Sequence, residues 1–129
     1  MLTINFSSAT STTTGVPLIF TKGISTNNNL IIDGTSIEVH EPGLYEVVGS
    51  IDVSSSGAGT YGAAIYADDE LQGIQSLKKA SASGEVVTTP LYAVIDVKKG
   101  SDNKFVKITF LPLGEPVVTD GYVSIKKIV

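Results

Sequence analysis

The chain has 129 residues, of which 42% are hydrophobic and 17% charged, and its formal net charge is −4. This length suits one domain with a single hydrophobic core. Cysteine is absent, which excludes a disulfide framework, a thiolate nucleophile and a sulfur-ligated metal. All nine basic residues are lysines, and no apolar run approaches the roughly 18 residues of a membrane span. We therefore expect neither a nucleic-acid partner nor a membrane partner.

Short alternating or continuous apolar runs, separated by Gly, Pro, Asn and Asp, follow one another along the chain. This pattern, without sustained 3.6-residue spacing, predicts an all-β protein of two packed antiparallel sheets. Asp33-Gly34 and Asp68-Asp69 are predicted turns, and Pro90 predicts a bend or bulge inside a long strand. The ten predicted strands comprise residues 2–6, 16–21, 30–32, 35–39, 44–53, 61–67, 70–76, 85–97, 104–111 and 122–129. Residues 1–14 are a leader or the first strand and a candidate attachment segment, and residues 15–129 form the single domain.

Successive side chains of a strand point to opposite faces of the sheet, so residues 44–53 present two different surfaces. One parity carries Tyr45, Val47, Ile51 and Val53, which we predict to face the core. Gly49 lies on the same parity and is predicted to let the opposite sheet approach closely. Matching parity elsewhere adds Leu91, Ala93, Ile95, Val97, Val123 and Ile125 to this core, and the opposing sheet supplies Ala63, Ile65, Ala67, Val106, Ile108 and Phe110.

Four stretches follow one another in a familiar order: "PLIFTKGISTNNNLIID", "PGLYEVVGSIDV", "PLYAVIDVKKG" and "GYVSIKKIV". Their order and spacing resemble the tumour necrosis factor and complement globular-head superfamily over most of residues 15–129. The resemblance implies a ten-stranded antiparallel jelly-roll sandwich that forms a homotrimer. The compact chain, its Ser/Thr-rich start and the "EPGLYEV" pattern are also similar to small bacteriophage head-fibre and capsid-decoration proteins, which are trimers of this jelly roll.

The side chains of the other parity in these strands lie on one outer face. They are a mixture of apolar, aromatic and charged groups. A monomer would expose them as a large apolar patch, which a closed threefold contact would cover. The alternative is that Tyr92 and Tyr122 are ordinary half-exposed strand residues. Glu46 and Lys126 are either an ion pair between subunits or two surface charges. The candidate trimer-interface residues are Leu44, Glu46, Val48, Tyr92, Val94, Tyr122, Ser124 and Lys126.

Few residues suit catalytic or metal chemistry. His40 is the only histidine, and without cysteine it cannot build a His-rich zinc site, so we predict a turn or edge residue. We expect no catalytic residue and no cofactor. Asp68, Asp69, Asp102 and Asp120 are weak candidates for a calcium site, the alternative being solvated turns.

Together with the resemblance, these observations predict a non-enzymatic virion structural protein, namely a trimeric head fibre or capsid-decoration module of a bacteriophage. Its expected partners are further copies of itself, a capsid protein, and a glycan or protein of the host surface. The chain opens without a basic and then apolar signal, so we expect synthesis in the host cytoplasm and a final location on the virion surface. The alternative is a receptor-binding or lectin-like trimeric head at a fibre tip that recognises a host-surface glycan or protein.

Overall fold

The computed structural model describes residues 1–6, 10–11, 17–20, 22–26, 29–98, 105–114 and 117–128. This part of the chain contains eleven strands, one of which has only two residues. They are β1 (Leu2–Phe6), β2 (Thr10–Ser11), β3 (Lys22–Ser25), β4 (Leu30–Asp33), β5 (Ser36–Val39), β6 (Gly43–Ser54), β7 (Gly59–Ala67), β8 (Glu70–Ala80), β9 (Val86–Val97), β10 (Val106–Leu113) and β11 (Val117–Lys127).

The strands form two antiparallel sheets that enclose one core, as the sequence predicts. β3, β1, β11, β6 and β9 lie side by side in that order, and β2 also pairs with β11; we call this the front sheet. β4, β5, β10, β7 and β8 form the back sheet. Every described strand pair is antiparallel. The protein is therefore an all-β antiparallel sandwich.

The hydrophobic core lies between the two sheets and contains the side chains that alternation assigns to it. Each predicted core side chain is at most 7% exposed, except Val106, which is partly buried against the same cluster. Tyr45 and Phe110 are the largest of the fully buried side chains. The parity prediction is therefore confirmed for both sheets, because strict period-two patterning reports directly on burial in a sandwich.

Two expectations about the backbone are wrong. The bulge expected at Pro90 is absent, because β6 and β9 stay in register without a shift along their whole length. Among the described strands β9 ends the front sheet, and an edge strand tolerates proline where its nitrogen faces away from the neighbouring strand. A Cβ at Gly49 would overlap the carbonyl oxygen of Tyr122 and lie 2.8 Å from Val123 Cα. Gly49 therefore makes room for the neighbouring strand β11, not for the opposite sheet.

The strand predicted at residues 16–21 is also wrong over its described part. Residues 17–20 lie outside the regular strands, and their hydrogen bonds go to two different neighbours. The N–H of Leu18 donates to the carbonyl of Phe110, and that of Phe20 donates to the carbonyl of Gly34, both at 2.8 Å. The strand in this region is β3, whose sequence "KGIS" contains one large apolar residue and gives no alternation signal.

The two edges of the sandwich differ in length. β3 and β4 form one edge with four residues each, whereas β8 and β9 form the other with 11 and 12 residues. β8 passes close to β9 at Gly73, where φ is 68° and a Cβ would lie 3.2 Å from the carbonyl oxygen of Tyr92. The longer edge is therefore a sizeable surface formed by the terminal strands of both sheets.

Candidate functional site on the front sheet

The outward side of the front sheet brings together the residues that the sequence nominates as an interface. Strand pairing sets them in rows across the sheet. One row crosses Ser124 on β11, Val48 on β6 and Tyr92 on β9, and the row below it contains Lys126 opposite Glu46. We call this surface the front face, defined by Leu44, Glu46, Val48, Tyr92, Val94, Tyr122, Ser124 and Lys126.

Large apolar and aromatic side chains of the front face are open to solvent in the single chain. Tyr92 is 58% exposed, Tyr122 50%, Val94 45% and Val48 39%. Leu44 is half-buried near the start of β6. The structure thus places all eight residues on one surface, as their parity predicts. Their role as a contact between subunits remains a prediction.

A shallow cavity opens on the front face between β1, β6 and β11. Its volume is about 260 Å³, and its lining joins apolar, hydroxyl and charged groups: Met1, Glu46, Val48, Tyr122, Ser124 and Lys126. Met1 is the lining residue that the sequence analysis missed. It takes this place because Leu2 pairs with Ile125, which sets the residue before Leu2 beside Lys126.

Glu46 and Lys126 form an ion pair, but both partners belong to the same chain. Lys126 Nζ lies 3.7 Å from Glu46 Oε1, and the two side chains are 55% and 28% exposed. They meet because their positions are directly opposite each other on β11 and β6. The contact seen here is therefore formed within one chain, and an ion pair between subunits stays a prediction.

A second polar cluster, centred on Glu41, lies at the lower end of the sandwich, which we define as the end where β6 begins. Glu41 accepts hydrogen bonds from Lys127 Nζ at 3.0 Å and from Asn29 Nδ2 at 3.2 Å. The Tyr45 hydroxyl donates to the Glu41 carbonyl at 2.7 Å. Burial raises the pKa of the Tyr45 phenol above its usual value, the Glu41 carboxylate adds to the rise, and Lys127 opposes it. The sequence analysis missed this cluster because its members come from separate parts of the chain.

His40 is held by neighbours at the same end. Its Nε2 lies 3.1 Å from Glu38 Oε1, and its ring centroid is 5.0 Å from that of Phe105. The N–H of His40 donates to the carbonyl of Asn29 at 2.8 Å. His40 directly follows β5, in the connection to β6, which agrees with the predicted turn or edge residue.

The loops at the upper end, where β6 ends, are tied to one another. The N–H and Oγ of Ser81 both donate to Glu85 Oε2 at 2.8 Å, which holds the pKa of the Glu85 carboxyl below its usual value. The N–H of Ser55 donates to the carbonyl of Glu85 at 2.9 Å, and the N–H of Gly84 donates to the carbonyl of Ser55 at 2.8 Å. The connection from β8 to β9 is therefore fixed against the connection from β6 to β7.

The acidic candidates for a metal site are spread over the molecule. Asp68 and Asp69 form the predicted turn between β7 and β8 with φ of 48° and 67°, and Asp68 Oδ1 accepts the N–H of Lys107 at 2.9 Å. Asp120 lies on β11 in the other sheet, near the upper end. Asp102 is outside the described residues. Among the residues described, no three His, Asp or Glu side chains are grouped to hold a metal ion, and no helix is long and apolar enough to cross a membrane.

Comparison with solved structures identifies the fold. No protein-family profile matches the sequence, and no curated protein matches it. Eiger TNF from S. frugiperda matches with a TM-score of 0.71 at 12% identity, over 98% of this chain and 92% of that one. Murine APRIL matches at 0.66 and 13% identity, over 98% of both chains. PRD1 vertex protein P5 matches at 0.53 and 14% identity, over 99% of this chain and 96% of that one. The chain therefore has the jelly-roll fold of the tumour necrosis factor-like heads, a fold also found in a vertex protein.

Proposed function

We propose that this protein is a non-enzymatic structural head of a bacteriophage particle, a homotrimeric head fibre or capsid-decoration module that assembles through its front face. The observation that carries the proposal is the exposed apolar surface of Tyr92, Tyr122, Val94 and Val48 on this fold. The likeness to a vertex protein favours a place on a particle surface. Fold likeness alone does not fix function, so the front face bears the argument.

The composition of the front face favours contact with another copy of the chain. A contiguous apolar patch on a sheet is the typical mark of a protein–protein contact. Tyr92 and Tyr122 suit such a contact, because a tyrosine buries a large apolar ring while its hydroxyl finds a polar partner. A closed threefold ring covers the patch on every copy without continuing into a filament.

A threefold ring also needs a second surface, because each contact in it joins two different patches. The β8–β9 edge is the natural candidate. Long edge strands are prone to uncontrolled pairing unless something covers them, and the short β3–β4 edge has less need of cover. Leu77 on β8 and Val86 on β9 are 47% and 58% exposed at the longer edge. Seating this edge on the front face of the next copy would cover both surfaces.

The particle would lie toward the lower end of the sandwich. β1 begins there, and Leu2 and Ile4 are fully buried between the sheets, so β1 is an integral part of the head. In this proposal Met1 and the start of β1 lie nearest the particle and contribute to attachment, and a capsid protein is the partner. Not all of the predicted attachment segment, residues 1–14, is at this end, since Thr10 and Ser11 pair with Val118 and Val117 opposite the end of β6. The hydrogen-bonded loops around Ser55 and Glu85 then face the environment.

These upper loops favour a second candidate function, a receptor-binding or lectin-like head at a fibre tip. Loops that are fixed before binding lose less conformational entropy when they take a ligand. In this case the ligand is a glycan or a protein of the host surface. The two functions share the trimer and differ in the surface that meets the partner.

Binding to purified particles separates the two functions. The protein is added to capsids that lack it, made by the phage that encodes it, and the bound fraction is measured by co-sedimentation. We expect saturation at a fixed ratio of head to capsid protein. Substitutions of Ser81 and Glu85 at the upper end should leave this binding unchanged. Binding to host cells or glycans with no binding to capsids would instead support the fibre-tip function.

A further inference from the structure

We propose that Glu46 and Lys126 set the rotational register of the trimer by forming, with the same residues of the neighbouring copies, a closed ring of alternating charges around the threefold axis. This inference rests on the proposed trimer and adds a specificity device to the same surface. Each Lys126 would lie between the Glu46 of its own chain and the Glu46 of the next chain. A second copy of this chain is thus the partner that the pair recognises.

The position of the pair supports the ring. β11 and β6 are central strands of the front sheet, with β1 on one side and β9 on the other. In the proposed ring, where the β8–β9 edge of each copy rests on the front face of the next, β6 lies next to the seated strand β9, so Glu46 would be carried toward the central strands of the neighbouring copy. Glu46 and Lys126 are directly opposite each other on β6 and β11, so the ion pair is central to the face and not part of its rim.

The charged groups of Glu46 and Lys126 can also form hydrogen bonds with further partners. The 3.7 Å between Lys126 Nζ and Glu46 Oε1 is too long for a hydrogen bond. At the lower end, by contrast, Lys127 Nζ reaches Glu41 Oε1 at 3.0 Å, which is a hydrogen-bonded ion pair. The Lys126 ammonium can therefore donate to a second carboxylate, and the Glu46 carboxylate can accept from a second ammonium.

The apolar side chains around the ion pair make further polar partners necessary once the front face is covered. Val48, Val94 and Tyr122 lie around the pair, so covering the front face would remove water from both charges. A charge that loses water destabilises a contact unless further polar partners replace the water. The ring supplies those partners in one register, whereas a slipped or inverted arrangement would bring like charges together.

Charge reversal tests the ring. In Lys126→Glu the ring would contain only negative charges, and in Glu46→Lys only positive ones. We expect each substitution to weaken trimer association at least about tenfold at low ionic strength, as measured by analytical ultracentrifugation. The matched control is Lys127→Glu, the same change one residue later at a charge that pairs with Glu41 away from the front face. The control should leave association unchanged.

Salt gives a readout that a purely structural role would not produce. Added salt screens attraction and repulsion alike. We expect salt to weaken association of the wild-type chain and to strengthen association of Lys126→Glu. Far-ultraviolet circular dichroism and thermal melting of the monomers check that each variant is folded.

Mixing the two reversed variants decides whether the charges meet between chains. Lys126→Glu and Glu46→Lys should each assemble poorly alone. Combined, they should form mixed trimers to a greater extent than either variant alone and to a lesser extent than the wild-type chain, because two of the three contacts in a mixed trimer join opposite charges and the third still joins like charges. A wild-type trimer whose association neither reversal changes, or reversed variants whose mixture recovers no assembly, would overturn the ring and leave the proposed trimer standing. A wild-type chain that stays monomeric would overturn the trimer itself.

Discussion

Neighbouring residues of β6 meet two different environments. Val47 is fully buried against the back sheet, whereas Val48 is 39% exposed on the front face. The inner face is completed by the chain itself, since its side chains fill the space between the sheets. The outer face carries apolar groups that folding of one chain leaves uncovered. The same strands therefore serve two requirements: one parity serves folding and, in our proposal, the other serves assembly. Substitutions on the two parities should therefore change different quantities.

The largest effect on folding is expected on the inner face. Ile51 is fully buried, and Ile51→Ala would leave a cavity beside residues of both sheets. We expect the free energy of unfolding of the monomer to fall by about 2–5 kcal/mol, measured by urea denaturation. The control is Ser50→Ala on the outer parity, which should change the unfolding free energy by less than about 0.5 kcal/mol. Equal losses at both positions would contradict the division between the faces.

A smaller effect is expected where the inner parity meets the neighbouring strand. In Gly49→Ala the added Cβ would overlap the Tyr122 carbonyl, so β6 and β11 would have to move apart. We expect a loss of about 1–3 kcal/mol in unfolding free energy. Gly57→Ala is the control, because a Cβ there has no neighbour within 4 Å. A neutral Gly49→Ala would mean that the two strands are less closely joined than described here.

Tyr45 belongs to the inner parity and makes the stability of the folded chain depend on pH. Burial raises the pKa of its phenol above the ordinary value of 10.0. The folded protein therefore holds this proton more tightly than the unfolded chain. The resulting stability is complete below the unfolded pKa and is lost as the pH rises through the folded pKa.

Tyr45→Phe should abolish this part of the alkaline loss of stability. It should also cost about 1 kcal/mol at neutral pH, since the Glu41 carbonyl loses its donor. Urea denaturation of both chains at several alkaline pH values measures the difference. Identical pH profiles would contradict the assignment.

Much of this division can be predicted from the sequence, because alternation in a sandwich reports burial directly. The residues of β6, β9 and β11 separate cleanly by parity, and so do the eight residues of the front face. Single residues predict the local backbone less reliably than alternation predicts burial. Pro90 suggested a distortion, yet an edge strand accommodates a proline without one. The sequence does not predict β3, because Gly23 and Ile24 give no alternation of apolar and polar side chains.

Contacts between distant parts of the chain could not be predicted, since no local pattern reports them. The Glu41 cluster joins Asn29 and Lys127, and neither is near Glu41 in sequence. Met1 lines the front-face cavity only because of the register between β1 and β11. Shared parity places Glu46 and Lys126 on one face, but only the register between β6 and β11 shows that they lie opposite each other and pair within the chain.

The mass of the protein in solution shows whether the chain assembles through its front face. Val48 and Ile31 are 39% and 44% exposed on the front and back sheets, so Val48→Lys and Ile31→Lys place the same charge on opposite sides of the sandwich. Ile31 lies opposite Glu38 on β5, where a lysine is easily tolerated. We predict that the wild-type chain and Ile31→Lys have the mass of three chains and that Val48→Lys has the mass of one, because the contact would have to take the added lysine charge out of water. A wild-type chain with the mass of a single copy, or a Val48→Lys variant that remains trimeric, would contradict assembly through the front face.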